Sequence, residues 1–274
     1  MSICLLYAFC VQSGTISIIT NDLISTELEI IETEEDVRVV YACESGSRAW
    51  GFPSADSDYD VRFLYIHPRD WYLSIADKRD VIERPIQDGL DVNGWDFRKA
   101  LQLFRKSNPP LLEWLGSPIV YQEKYSVAAQ MRELAKEYYS PAACIYHYLH
   151  TARGNVREYL KGERVWTKKY FYVLRPLLAI QWIEQGYGVA PTAFGTLVER
   201  LVMSPALKTA IEDLILQKRA GAELDEGPRI PAISDFIEAE IARHEAQEAR
   251  YKTNAPPYEV LDQLFREALE EVWD

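Results

Sequence analysis

The sequence predicts an α+β chain, with a small mixed sheet flanked by helices first and an all-helical part after it. Three observations predict this. Short β-branched or alternating runs, such as VRVVYAC and DYDVRFLYI, recur up to residue 95. From about Phe97 the apolar residues repeat at helical spacing instead. With 274 residues, the chain has room for one large domain or two modest ones.

Taken in order, DLISTELEIIETEED (22–36) reads as an amphipathic helix capped by Asn21 or Asp22. VRVVYAC (37–43) is an unbroken apolar run and reads as a buried strand. ESGSRAWG (44–51) holds two glycines and reads as a turn, and FPSADSD (52–58) as a loop of turn formers. DYDVRFLYI (58–66) alternates, as a strand does. Two further strands, 80–86 and 89–95, are expected to meet around Asp88-Gly89, a hairpin signal. Asn108-Pro109-Pro110 reads as a helix stop and restart. Helices are then expected at 126–139, 141–161, 168–185, 192–203, 205–220, 234–250 and 257–273, with an exposed loop at 221–231. The change from strands to helices near 117–125 suggests domains of 1–120 and 121–274.

Composition narrows the function classes. Apolar residues at 48% and charged residues at 26% supply a core, which excludes wholesale disorder. No apolar run reaches the roughly 18 residues of a membrane helix. MSICLLYAFCVQSGT lacks the basic start of a secretory signal and reads as an extra strand or tail before the domain. Cys4, Cys10, Cys43 and Cys144 have neither disulfide-framework nor zinc spacing, and His67, His147, His150 and His244 lack ligand spacing, so a reducing cytoplasm is expected. The net charge of −12 argues against a chain coated for nonspecific DNA binding. Yet Arg98 to Arg175 holds 14 Lys and Arg against 6 Asp and Glu, so a local anion site is expected in the middle.

The sharpest constellation is Gly46-Ser47, then Asp58-Tyr59-Asp60, then Asp91. Residues two apart in a strand share a face, so Asp58 and Asp60 project together. Carboxylates that close repel unless a cation lies between them. Hard oxygen donors suit Mg²⁺, which also takes phosphate oxygens. With Asp91 pointing the same way, three carboxylates can hold two Mg²⁺ ions, with Mn²⁺ able to substitute. The Gly46 backbone can approach a phosphate, and the Ser47 hydroxyl can donate to it.

This order of turn and strands is that of the DNA polymerase beta-like nucleotidyltransferases. Three segments carry the likeness further: ESGSRAWGFPSADSDYDVRFLYIHPRDWYLSI, DVNGWDFRKALQLFRKSNPPLLEWLGSPIVY and HTARGNVREYLKGERVWTKKYFYVLRPLLAIQWIE. They resemble a bacterial family described as the RNA repair pathway branch of that superfamily, over roughly residues 24–250. The family pattern's Gly46, Ser47, Asp58, Asp60 and Asp91 are all present; MSICLLYAFCVQSG is outside it. The resemblance implies a polymerase beta-type palm, a helical bundle, and Mg²⁺-dependent transfer of a nucleotidyl group from a nucleoside triphosphate such as ATP. Asp58, Asp60 and Asp91 are then the catalytic and metal-binding residues. An acceptor hydroxyl attacks the α-phosphorus and pyrophosphate leaves. An RNA 3′ end is the first choice of acceptor, a protein hydroxyl the second and a small molecule the third. The reading of another class is an inactive nucleotide-binding interaction module.

Arg153, Arg157, Lys161, Arg164 and Lys168 are spaced by 4, 4, 3 and 4, which would make one face of an unbroken helix; Gly162 interrupts it, so two helices are expected to share the cationic stripe. Acidic partners are scarce nearby, so the stripe is expected to face phosphates. In the families this chain resembles, a helical domain supplies such contacts, which assigns nucleotide binding to Lys168, Lys169, Tyr172 and Arg175. Pro176 inside that helix predicts a kink. Arg62 shares Asp60's face and reads equally as a substrate contact or a counter-charge. Arg48 reads as a phosphate contact or a cap on the loop. Glu44 reads as a further acidic ligand or, by default, as half of a structural salt bridge. Trp50, Trp71, Trp95 and Trp114 read as core between the two parts, each also able to stack a base.

Overall fold

A computed structural model describes residues 21–221, 224–245, 255 and 257–274. The reading of an N-terminal strand or tail therefore lies outside the described residues, as does the stretch 246–250 of one expected helix. The chain opens on α1 (Asn21–Glu34), which buries Ile24, Leu28 and Ile31 at spacings of four and three. Then come β1 (Arg38–Glu44), the short α2 (Gly46–Trp50), β2 (Tyr59–Ile66), α3 (Arg69–Tyr72), β3 (Val81–Glu83), β4 (Leu90–Asp96), α4 (Phe97–Arg105), α5 (Pro109–Leu115) and β5 (Val120–Glu123). These five strands form one mixed sheet in the order β3-β4-β2-β1-β5. β1 is antiparallel to β2 and β5, while β2 runs parallel to β4.

Helices cover both faces of the sheet. The α1 stripe packs with Val39, Ala42, Val61, Phe63, Tyr65 and Val92 on one face. On the other, Val40, Tyr41, Cys43, Leu64 and Ile66 join a core that continues through the following helices as far as Val272. Burial on both sides explains why β1 reads as an unbroken apolar run.

The rest of the chain supplies α6 (Val127–Tyr138), α7 (Pro141–Tyr159), α8 (Lys169–Glu184), α9 (Phe194–Leu201), α10 (Pro205–Arg219), α11 (Pro231–Glu245) and α12 (Tyr258–Trp273). Pro176 lies inside α8. Several starts follow from local chemistry: Asn108, Ser140 and Ser204 each accept from a backbone N–H three residues on, with a proline next to them in the first turn. Among the described residues, no helix is long and apolar enough to cross a membrane.

Three expectations are corrected. The turn at 44–51 contains a short helix, α2, whose end at Gly51 needs φ +95°. The helical part also holds a two-stranded sheet, β6 (Arg164–Trp166) with β7 (Glu226–Pro228), in which the expected 221–231 loop supplies the second strand. Strands of three residues are too short to show a period. The cationic stripe is accordingly not carried by two helices alone. α7 ends at Tyr159, Gly162 takes φ +95°, and Arg164 stands on β6 beside Glu226.

Candidate active site

The parallel pairing of β2 with β4 brings two distant carboxylates together. Asp60 and Asp91 are register partners. Both reach Arg62, whose Nη2 lies 2.8 Å from Asp91 Oδ2 and 3.3 Å from Asp60 Oδ1, so all three side chains share one sheet face. The Arg62 Nη1 donates to the carbonyls of Val61 and Asp91, each at 3.0 Å. Asp58, just ahead of β2, places Oδ1 against Gly89, 3.4 Å from where a Cβ there would stand. The hairpin turn thus carries both Asp58's neighbour and the start of the Asp91 strand. Burial raises the pKa of the Asp60 carboxyl; the charges of Asp91 and Asp58 add to the rise, and Arg62 and Lys168 oppose it.

The Gly46-Ser47 turn lies directly across from Asp60. Gly46 has φ +57°, and a Cβ on it would fall 2.0 Å from Asp60 Oδ2. A side chain at this position and Asp60 in its present place exclude each other. Ser45 N donates to Asp60 O at 2.8 Å, tying the turn to β2. Arg48 holds the 51–58 loop: its Nε and Nη2 donate to the Asp58 and Ser57 carbonyls, and its guanidinium lies 3.6 Å from the centre of the Tyr59 ring.

Among the described residues Glu44 is not half of a salt bridge, and it is not open to the surface. It is fully buried, and Oε1 accepts from the Asp60 backbone N–H at 2.9 Å while Oε2 accepts from the Tyr121 hydroxyl. Burial pushes its carboxyl up to about 7. Its main chain is fixed as well, because Ser117 Oγ donates to Glu44 O at 2.6 Å. Glu44 therefore sets the position of the strand segment that carries Asp60.

Helix α8 forms the facing wall. The Tyr172 hydroxyl is held above its usual range by burial, and the negative charge of Asp60 adds to the rise. Its ring meets Trp50 edge-on, with centres 5.4 Å apart. Lys168 is exposed at the start of α8, near enough for its charge to act on Asp60 and Asp56. Lys169 lies against the Tyr159 and Tyr172 rings at 4.1 and 4.8 Å. Arg175 is different. It is 3% exposed, its Nη1 is paired with Glu113 Oε1 at 2.6 Å, and it lies 5.2 Å from the Trp50 ring. The structure buries it behind Trp50 instead of bringing it to the carboxylates.

Two cations were not singled out from sequence. Lys218 Nζ donates to Ser54 Oγ at 2.7 Å, and Arg219 Nη2 to Gly51 O at 2.7 Å, so the end of α10 clamps the loop beside the site. The expected scarcity of acidic partners also gives way: Arg153 and Arg164 lie 4.0 and 3.7 Å from Glu245 and Glu226. Those partners come from the stretch after Ala206, distant in sequence, where 16 acidic residues stand against 8 basic ones. The tryptophans pack: Trp95 stacks on Trp114 at 3.8 Å and Trp71 on His67 at 3.9 Å.

Among the described residues, no three His, Cys, Asp or Glu side chains converge into a ready metal cage. Magnesium does not require one, since it commonly uses one or two protein carboxylates and completes its shell with water and substrate phosphates. Hard carboxylate oxygens at Asp58 and Asp60, in a cradle that only glycine leaves open at position 46, fit that demand.

Two comparisons of sequence and one of structure say what the chain is similar to. The profile of the RNA repair pathway DNA polymerase beta family matches residues 20–267. "Uncharacterized protein YcgL" of Bacillus subtilis (strain 168) is 52% identical over 250 residues, which cover 90% of this chain and 95% of that one. The crystal structure of a nucleotidyltransferase-like protein from Exiguobacterium sibiricum 255-15 aligns over 92% of this chain and 88% of its own, with 11% identity and a TM-score of 0.30, a likeness too distant to argue from.

Proposed function

The chain belongs to the RNA repair pathway DNA polymerase beta family and is a nucleotidyltransferase, and from that premise we propose that it transfers a nucleoside monophosphate from a nucleoside triphosphate to an RNA 3′ hydroxyl. The observation that carries the reading is the Asp60–Asp91 pairing on one face of β2 and β4, across from Gly46. Repelling carboxylates gathered around Arg62 are a costly arrangement for a merely structural patch.

In this reading Asp58 and Asp60 would hold Mg²⁺, with Asp91 beside them, and the bound ion would supply charge neutralisation and Lewis acidity at the phosphates. Ser47 donates its hydroxyl to the leaving phosphates, and the Gly46 backbone lets them approach. Lys168 and Lys169 neutralise the triphosphate from the α8 side. Asp91 takes the proton of the attacking hydroxyl on Oδ1, because Oδ2 is engaged by Arg62. Glu44 keeps Asp60 in place through the backbone hydrogen bond. Arg48 and Arg175 are left to build the site's walls.

The description of the family favours RNA as the acceptor, and Lys168, exposed at the start of α8, adds positive charge on that side of the carboxylates. The test is incubation with each of four α-³²P nucleoside triphosphates plus total RNA and total protein of the host. Label is expected in the RNA fraction; label in protein alone would refute the RNA acceptor. RNA affinity should fall with salt by about 0.7 log units per log unit for each phosphate contacted, and a flat response would count against RNA.

A further inference from the structure

The proposed centre leaves open how many divalent ions it takes, and the placement of Arg62 answers that. Arg62 has already taken one oxygen from each of two carboxylates, Asp60 Oδ1 and Asp91 Oδ2. Its other terminal nitrogen is bound to two main-chain carbonyls, Val61 O and Asp91 O. Those bonds do not involve the carboxylates, so the guanidinium is anchored to the sheet independently of what the carboxylates bind. A guanidinium is a cationic hydrogen-bond donor with no acceptor of its own, so it takes a cation's place between carboxylates. Asp60 Oδ2, in the Gly46 cradle, and the Asp58 carboxylate remain.

Resting on the nucleotidyl-transfer reading, we infer that Arg62 fills the cation place between Asp60 and Asp91, so that the centre takes one divalent ion, at Asp58 and Asp60, instead of two. The charges agree. Three carboxylates with one guanidinium leave two negative charges, which a single divalent ion balances. A second ion on the Asp91 side would stand against a fixed positive group in a part-buried site, where repulsion is poorly screened. Arg62 is thereby the residue that determines metal stoichiometry.

The test counts bound Mn²⁺ on the full chain by electron paramagnetic resonance, with a non-hydrolysable nucleoside triphosphate analogue present. This readout does not depend on turnover. One Mn²⁺ per wild-type chain and two per Arg62→Met chain is the expected result, with circular dichroism checking the variant's fold. Two ions on the wild type would overturn the inference, whether or not Arg62→Met folds. One ion on both proteins would overturn it too, because Arg62 would not be what excludes the second. No Mn²⁺ on the wild type at millimolar concentration would remove the metal-dependent reading itself, an outcome distinct from either.

Discussion

Replacing Gly46 by alanine separates the site from the scaffold. Two costs follow from the structure. Gly46 has φ +57°, which costs a residue with a side chain about 1–2 kcal/mol. The new Cβ would also stand 2.0 Å from Asp60 Oδ2, so that carboxylate must retreat by about 1.4 Å to reach an ordinary contact of 3.4 Å. The first cost lowers Tm by roughly 2–8 °C in a chain of this size. The second displaces Asp60 relative to Asp91 and Arg62, and misplacing a reacting group by about 1 Å costs on the order of 100-fold in rate. Gly51→Ala is the control. It carries φ +95° and similar strain, but a Cβ there meets nothing within 4 Å. The assay is transfer of label from an α-³²P nucleoside triphosphate, with thermal unfolding alongside. Both variants should lose similar stability, and Gly46→Ala alone should lose about 100-fold in kcat. Full activity in Gly46→Ala, or an equal loss in Gly51→Ala, would refute the reasoning.

Glu44→Gln tests the buried carboxyl. With a folded-state pKa of about 7 against an ordinary 4.5, its contribution to stability is complete below 4.5 and lost as pH rises through 7, an effect of about 3 kcal/mol. The variant carries no such charge, so its stability relative to wild type should rise between pH 4.5 and 8 in chemical denaturation; an unchanging difference would contradict this. It should also keep activity, because the amide oxygen can still accept from the Asp60 N–H, whereas Glu44→Ala should not. Lys168→Ala and Arg175→Ala should behave oppositely. The first, exposed, should raise KM for the triphosphate several-fold with Tm unchanged. The second takes the buried guanidinium away from Glu113, leaving the Tyr148 hydroxyl as a neutral donor, and should cost about 3–5 kcal/mol in denaturant unfolding.

The residues explain what could be read in advance. Asp58 and Asp60 could be placed on one face because a strand repeats every two residues, and Asp88-Gly89 marked the turn ahead of Asp91. The register that sets Asp60 opposite Asp91 belongs to a parallel pairing, and nothing local encodes it. Glu44 was misread because local sequence does not show that its carboxyl is enclosed by Tyr121 and the Asp60 backbone. Helical spacing groups Lys168, Tyr172 and Arg175, but α8 is buried around most of its girth, so spacing alone does not distinguish the face toward the carboxylates from the face toward Glu113. Lys218 and Arg219 reach the site from α10, more than 160 residues from the loop they hold, and carried no signal.

The most direct measurement compares α-³²P with γ-³²P nucleoside triphosphate, using wild type and Asp60→Asn in the presence of RNA. Nucleotidyl transfer at these carboxylates predicts RNA labelled from the α-position only, and no label with Asp60→Asn at an unfolding temperature close to wild type. RNA labelled from the γ-position, or undiminished labelling by Asp60→Asn, would contradict it.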